Sequence, residues 1–171
     1  FAGLTMLTKN SFLDEIGNLS YNLQSKLLSV LQSRKVIRLG SHKETDIDVR
    51  VICATNMPLY QMVEEGNFRQ DLLYRVNTVE IQIPPLRDRT EDIPDLVDHF
   101  LKIYCKKYKL ETKRLSVAAA KRLKKHSWPG NIRELQHTVE RAVIMSEGSS
   151  LQAHDFFLSK PIHKNALLNA D

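Results

Sequence analysis

A chain of 171 residues with 42% apolar and 26% charged content can bury a core as one domain, or as one domain with an appendage. Its formal net charge of +5 and pI of about 9.2 fall short of the dense basic stripe of a dedicated DNA reader, and Cys53 and Cys105 are too far apart in sequence to suggest a disulfide framework, which fits a reducing, cytoplasmic compartment. Six scattered histidines lack metal-site spacing, no apolar run approaches membrane-spanning length and no signal peptide opens the chain, so neither a membrane partner nor a metal held by protein ligands alone is expected.

The opening stretch, Phe1 to Asn10, has no initiating Met and weak periodicity, and reads as the middle of a larger protein. Ser11-Phe12-Leu13-Asp14-Glu15-Ile16-Gly17 follows. This short apolar run suits a strand buried on both faces of a parallel sheet. It ends in two adjacent carboxylates, at the strand end where ligands bind in such sheets. One acid there can hold Mg²⁺ and its neighbour can orient or deprotonate a water; strand-end acids also serve simply as helix caps.

Ser20 can cap a helix with Leu23, Leu27, Val30 and Leu31 on one face. Lys35 to Leu39 and Ile47 to Ala54 read as strands around a polar turn at residues 40–46, a hairpin-like insertion. The second of these strands ends at Thr55-Asn56, two small polar side chains at another strand terminus. Pro58 opens a short helix that Gly66 stops, Phe68 to Arg75 reads as another helix, and Thr78 to Ile83 as a third strand closed by Pro84-Pro85. Alternating strands and helices make this half an α/β layer.

From Thr90 the pattern becomes helical. Thr90 can cap a helix with the stripe Ile93, Leu96, Val97, Phe100, Leu101 and Tyr104. Ser116 caps a basic helix with Val117, Ala120 and Leu123. After the break at Trp128-Pro129-Gly130, Asn131 and Glu134 resemble a capping box ahead of Leu135, Val139, Ala142 and Val143, with Gly148 as the stop. The tail from Lys160 has little periodicity and is expected to be mobile.

Five segments carry a resemblance in combination: Phe12-Leu13-Asp14-Glu15-Ile16-Gly17, Ala54-Thr55-Asn56, Asn67 to Asn77 with Arg69 and Arg75, Pro84 to Ile93 with Arg87 and Arg89, and Trp128-Pro129-Gly130-Asn131-Ile132-Arg133-Glu134-Leu135. In this order they resemble the AAA+ ATPase domain of bacterial sigma-54-dependent transcriptional activators, from about Phe12 to Phe156. The resemblance implies the C-terminal part of a P-loop-type parallel α/β core over residues 1–89, an all-helical lid over 90–150 and a tail over 151–171. It implies Asp14 as the Mg²⁺ ligand and Glu15 as the water-positioning group of Walker B. Thr55 and Asn56 match sensor I, Arg69 and Arg75 match arginine fingers that reach a neighbouring subunit's nucleotide, and Arg133 matches the sensor II contact. Arg87 and Arg89 would serve the hinge. ATP and Mg²⁺, sigma-54 RNA polymerase holoenzyme, a hexameric ring and DNA held through a separate domain are the implied cofactors and partners.

Read without the family, Arg69 and Arg75 are surface residues paired with Asp71 or Glu80, Arg133 is a solvated first-turn residue and Trp128 is a core anchor. The family's Gly-rich P-loop and its GAFTGA loop occur nowhere in the sequence, and Lys9-Asn10-Ser11 stands where the family has Gly-Gly-Thr. The expectation is therefore a C-terminal piece of the ATPase domain that does not hydrolyse ATP by itself. A helical DNA-binding module and a non-catalytic assembly or regulatory domain are the rival readings.

Overall fold

The computed structural model describes residues 10–158. The expectations about residues before Asn10 and about the tail from Lys160 lie outside them. The chain separates into two compact units, Phe1–Ile81 and Gln82–Asp171. Among the described residues no helix is long and apolar enough to cross a membrane.

The first unit begins with β1 (Asn10–Leu13) and α1 (Tyr21–Ser33), continues through β2 (Lys35–Ile37), β3 (Glu44–Asp46) and β4 (Arg50–Cys53), and ends with α2 (Leu59–Glu64) and α3 (Gln70–Val76). β1 and β4 pair in parallel, from Asn10 opposite Arg50 to Leu13 opposite Cys53; parallel neighbours need a long crossover, here α1 and the β2–β3 hairpin. Leu13 and Cys53 pack on a core of Ile16, Leu28, Phe68, Leu72 and Leu73. Their alternates Phe12 and Ile52 are 63% and 43% exposed, so among the described residues only one face of the pair is covered, where burial on both faces is the sequence expectation.

The hairpin corrects the strand assignment. β2 pairs antiparallel with β3, Lys35 opposite Asp46 and Ile37 opposite Glu44, inside what reads in sequence as a polar turn. An exposed hairpin is held by backbone bonds and cross-strand pairs such as Lys35–Glu44 at 2.8 Å rather than by an apolar face. The apolar run Val51-Ile52-Cys53 is thereby left to β1. α1 is also rotated from its expected face. It buries Gln24 and Leu28, with Leu27 and Leu31 partly covered, while Leu23 is 46% exposed. Ser20 occupies the N-cap position without a side-chain cap bond.

Residues 78–83, expected as a third strand, form no ladder with any described residue. Val79, Ile81 and Ile83 alternate as a strand would and lie 78%, 81% and 77% exposed. Alternation sets which side chains share a face, but a strand exists only through a partner's hydrogen bonds.

The second unit opens with 3₁₀ turns at Leu86–Asp88 and Thr90–Asp92, then α4 (Ile93–Lys107), β5 (Arg114–Leu115), α5 (Val117–Lys124), α6 (Asn131–Met145) and β6 (Ser150–Leu151). Thr90 lies in a 3₁₀ turn instead of capping; Asp92 holds the N-cap position of α4. α4 buries Ile93, Val97, Phe100, Leu101, Tyr104 and Cys105, and α6 buries Leu135, Val139, Ala142 and Val143, close to the stripes read from spacing. Ser116 Oγ accepts from Ala119 N at 3.2 Å and caps α5, whose buried residues are Ala119 and Leu123, with Val117 74% exposed.

Trp128 is fully buried and its indole N–H donates to Leu123 O at 2.9 Å. Leu86, Leu151 and Phe156 complete the same core. The short β5–β6 pairing is parallel, Leu115 opposite Leu151. Beside it the buried Lys113 ammonium donates to Ser146 O and Gly148 O, both at 2.8 Å, and so supplies positive charge to the carboxyl end of α6.

Candidate functional site

The backbone ladder between β1 and β4 runs past the strands: Ala54 N donates to Leu13 O at 2.9 Å and Ile16 N to Ala54 O at 3.1 Å. Asp14-Glu15 and Thr55-Asn56 consequently leave the sheet side by side at its carboxyl edge, all four exposed. Glu15 turns the chain with a φ of 54°, and Asn18 N closes the turn on Glu15 O at 2.9 Å. Gly17 lets the two exits approach. A Cβ there would meet Thr55 Oγ1 and Met57 Cβ, each at 2.8 Å, closer than any side chain allows. The sequence reading treats Gly17 only as an exit.

Asp14 Oδ1 accepts from Glu15 N at 3.0 Å, and Glu15 Oε2 accepts from Asn18 Nδ2 at 3.1 Å. Thr55 Oγ1 is occupied by Met57 N at 3.1 Å. Neither Asp14 nor Glu15 is in a salt bridge with a described residue, and both residues are exposed. No group of three or more metal-ligating side chains occurs among the described residues. Two hard oxygen donors at an open strand end fit a Mg²⁺ ion that keeps water and phosphate oxygens in its shell.

The two arginines of the 67–77 segment have different surroundings. Arg69 is bound bidentately by Asp71, Nε to Oδ1 at 2.9 Å and an Nη to Oδ2 at 2.6 Å. It also donates to Ser25 Oγ at 3.2 Å and lies 5.4 Å from the centre of the Tyr21 ring. That carboxylate holds the Arg69 pKa above its ordinary value, and the hydrogen bond from Arg69 holds Asp71 below the usual carboxylate range. Arg75 lies in the last turn of α3, exposed, with one Nη donating to Leu31 O at 3.0 Å.

Arg133 stands exposed in the first turn of α6, in the second unit, beside an open depression lined by Pro129, Gly130, Asn131 and Ile132. The turn before it is held tightly. Trp128 and Asn131 have φ of 48° and 50°, Asn131 N donates to Trp128 O at 2.8 Å and Gly130 N to Glu134 Oε2 at 2.8 Å. The expected capping box is therefore only half formed. Asn131 Oδ1 accepts from Leu86 N at 2.9 Å instead, leaving Glu134 as the one side chain of the pair that serves the helix start. Arg87 and Arg89 make long contacts of 3.9 Å with Asp88 and Asp92. Burial pushes the Cys53 thiol pKa up, which disfavours its thiolate form.

One residue escapes the sequence reading altogether. Gln24 is fully buried in α1, and the signal for it was its place one turn before Leu28 on the buried stripe, where an amide is unusual.

Comparison with known proteins bears on these features. Residues 6–82 match the sigma-54 interaction domain and residues 87–166 the AAA+ ATPase lid domain. The DNA-binding transcriptional activator HyfR of Escherichia coli K12 is 48% identical over 143 residues, covering 84% of this chain and 21% of that protein. The sigma54-dependent transcriptional activator SfnR of Pseudomonas putida is 46% identical over 148 residues, 86% of this chain and 40% of that one. Crystal structures of NtrX from Brucella abortus in complex with ADP and with ATP superpose with TM-scores of 0.76 and 0.75, both at 36% identity over 85% of this chain and 34% and 35% of theirs. The chain thus spans between 21% and 40% of the length of these relatives. With the two family models following one another along residues 6–166, the chain belongs to the AAA+ sigma-54 interaction family of bacterial transcriptional activators, its α/β part leading into the family's lid.

Proposed function

We propose that this chain is the nucleotide-handling and subunit-coupling part of an ATP-driven activator that remodels sigma-54 RNA polymerase. The observation that carries the reading is the joint exit of Asp14-Glu15 and Thr55-Asn56 from paired parallel strands, the edge at which such sheets take ligands. Asp14 would hold Mg²⁺, which supplies positive charge to bound phosphates. Glu15 accepts a hydrogen bond from the attacking water and aligns it, and the Asn56 amide with Thr55 reads the terminal phosphate. Arg133 meets the phosphates of its own subunit's nucleotide. Residues 1–89 carry the core functions and 90–150 the lid.

Arg75 is the better finger in trans, and Arg69 the second candidate. A finger must leave its own subunit to reach a neighbour's nucleotide, and Arg75 gives up one backbone contact where Arg69 gives up a bidentate carboxylate. The activator would act as a cytoplasmic hexameric ring with promoter DNA held by a separate domain. The crystallised ADP and ATP complexes of NtrX support nucleotide binding.

The test uses the full-length activator carrying this chain. Glu15→Ala is expected to bind Mg-ATP and not turn it over, because the water loses its orienting group while Asp14 remains. Arg75→Ala is expected to fail because the neighbour's site lacks its arginine. Mixed, the two proteins should regain activity at interfaces pairing an intact Glu15 site with an intact Arg75. ATPase rate against mixing ratio measures this; a flat line in rings shown to co-assemble would make Arg75 a residue of its own site. For the 171-residue chain alone, whose sequence holds no phosphate-cradling Gly-rich loop, calorimetric titration is expected to give no saturable Mg-ATP binding. Micromolar affinity would overturn that.

A further inference from the structure

We infer that Gln24 is the positioning residue that sets the start of α3, and with it Arg75, against the segment leaving the acid pair; this rests on the reading of Glu15 and Arg75 given above. Gln24 is a fully buried polar side chain of the first unit. Its three hydrogen bonds all go to backbone. Nε2 donates to Leu19 O at 2.9 Å and to Asn67 O at 3.1 Å, and Oε1 accepts from Arg69 N at 2.8 Å. The amide orientation follows from these partners, since the reverse would set an NH₂ group against an N–H and an oxygen against two carbonyls.

These partners mark the two places that matter. Leu19 N bonds Ile16 O at 3.2 Å, so Leu19 closes the 3₁₀ turn that starts at Glu15. Asn67 and Arg69 bracket Phe68, a 2% exposed core residue, and Arg69 is the N-cap residue of α3. One side chain thereby ties the exit of the acid strand to the entry of the helix bearing Arg75, across the turn from Val63 to Phe68, which among the described residues no other side chain bonds to α1. Ser25, the next residue of α1, adds a contact to the Arg69 side chain, and Arg75 returns to Leu31 O at the far end of the same helix. α1 is thus the ruler along which the arginine helix is set, and Gln24 fixes its zero. A shift of the α3 start by an ångström moves Arg75 relative to a neighbour's nucleotide, while Asp14 and Glu15 stay anchored between the Leu13–Ala54 and Ile16–Ala54 backbone bonds that continue from β1.

Two variants separate positioning from mere packing. Gln24→Met keeps volume and removes all three bonds. Gln24→Glu keeps shape and the Arg69 N–H acceptor while setting a carboxylate oxygen against two carbonyls. Each is made in the full-length activator and assayed below its melting temperature, read by circular dichroism. We expect turnover to fall between about tenfold and a hundredfold with KM for ATP little changed, as for a misplaced catalytic group. Mixing gives the decisive readout. A Gln24 variant should regain activity with Glu15→Ala, which brings an intact arginine helix, and gain nothing with Arg75→Ala, which shares its defect. Rescue by Arg75→Ala and not by Glu15→Ala, rescue by neither in co-assembled rings, or unchanged turnover would each overturn the inference. So would loss of folding in both variants at a temperature where Leu28→Ala still folds, which would assign Gln24 to the core alone. If Glu15→Ala and Arg75→Ala fail to complement each other, it is the underlying reading that falls.

Discussion

The two units solve the same problem with different materials. In Gln82–Asp171 the apolar stripes of α4 and α6 face one another and close over Trp128, Leu86, Leu123 and Phe156, all buried. In Phe1–Ile81 the core is smaller, and the parallel pair shows Phe12 and Ile52 to solvent. Helices take their hydrogen bonds internally and need neighbours only for one face. A parallel strand needs neighbours beside it and on both faces. The second unit is therefore expected to be the more autonomous, while in the first a polar fastening, Gln24, joins α1 to the start of α3.

The largest expected effect tests that difference in the cores. The chain's one tryptophan is Trp128, so its fluorescence follows the second unit alone while far-ultraviolet circular dichroism follows both. Leu135→Ala, at a fully buried site of α6, is expected to cost about 2–5 kcal/mol and to lower the fluorescence transition. Phe12→Ser, at a 63% exposed position, should change stability by no more than about 0.5 kcal/mol. In the unaltered chain the dichroism transition should begin below the fluorescence transition, and amide exchange should be slower across α4 and α6 than across β1 and β4. Coincident transitions, or slower exchange in the strands, would show that the first unit completes its sheet by another route, such as pairing between chains.

The same contrast explains what the sequence discloses. The stripes of α4 and α6 could be read almost residue by residue, because a helix face is a local property fixed by spacing. So could the acids and Thr55-Asn56 at strand ends, since termination is local too. What escaped reading depends on partners. Residues 78–83 carry a strand's alternation and form no ladder among the described residues. Glu44–Asp46 pairs with Lys35–Ile37 despite having no apolar face. Asn131 looks like a cap until Leu86 N–H claims its oxygen, and Gln24 shows its part only through the Asn67 and Arg69 backbone groups that it bonds. The roles proposed for the arginines come from the family resemblance, and the structure adds that Arg69 is held by Asp71 where, among the described residues, Arg75 bonds only Leu31 O.

A middle-sized effect separates two serines that read identically in sequence. Ser116 and Ser20 both occupy extended N-cap positions, but only Ser116 accepts a cap bond. Ser116→Ala is expected to destabilise the second unit by about 1 kcal/mol, read by Trp128 fluorescence in urea. Ser20→Ala should be near neutral in the first unit, read by the lower dichroism transition. Equal losses at both sites would mean that Ser20 forms its cap bond in solution.

The smallest effect concerns acid, and it sets one ion pair of each unit against the other. The hydrogen bond from Arg69 holds Asp71 below its ordinary value of 3.8, and bonds from Lys107 and then Tyr108 hold Glu140 below 4.5. A carboxyl with a depressed folded pKa contributes stability that is fully present above its unfolded value and is lost as pH falls through the folded one. Both pairs should therefore contribute in full, and without pH dependence, near neutral pH and weaken below pH values near 3.8 and 4.5 respectively. The paired cations shift upward, so their loss belongs to strongly alkaline conditions and leaves the acid limb to the carboxyls. Side-chain exposure is 48% for Asp71 and 22% for Glu140, which makes salt the second variable: added salt should flatten the first unit's acid limb more than the second's. Asp71→Asn and Glu140→Gln are the comparisons, melted from pH 6 to pH 2 at low and high salt. Each should flatten the acid limb of its own unit's transition and leave the other's slope unchanged. An acid limb indifferent to both substitutions would place the titrating groups elsewhere and reduce these pairs to surface contacts without weight in folding.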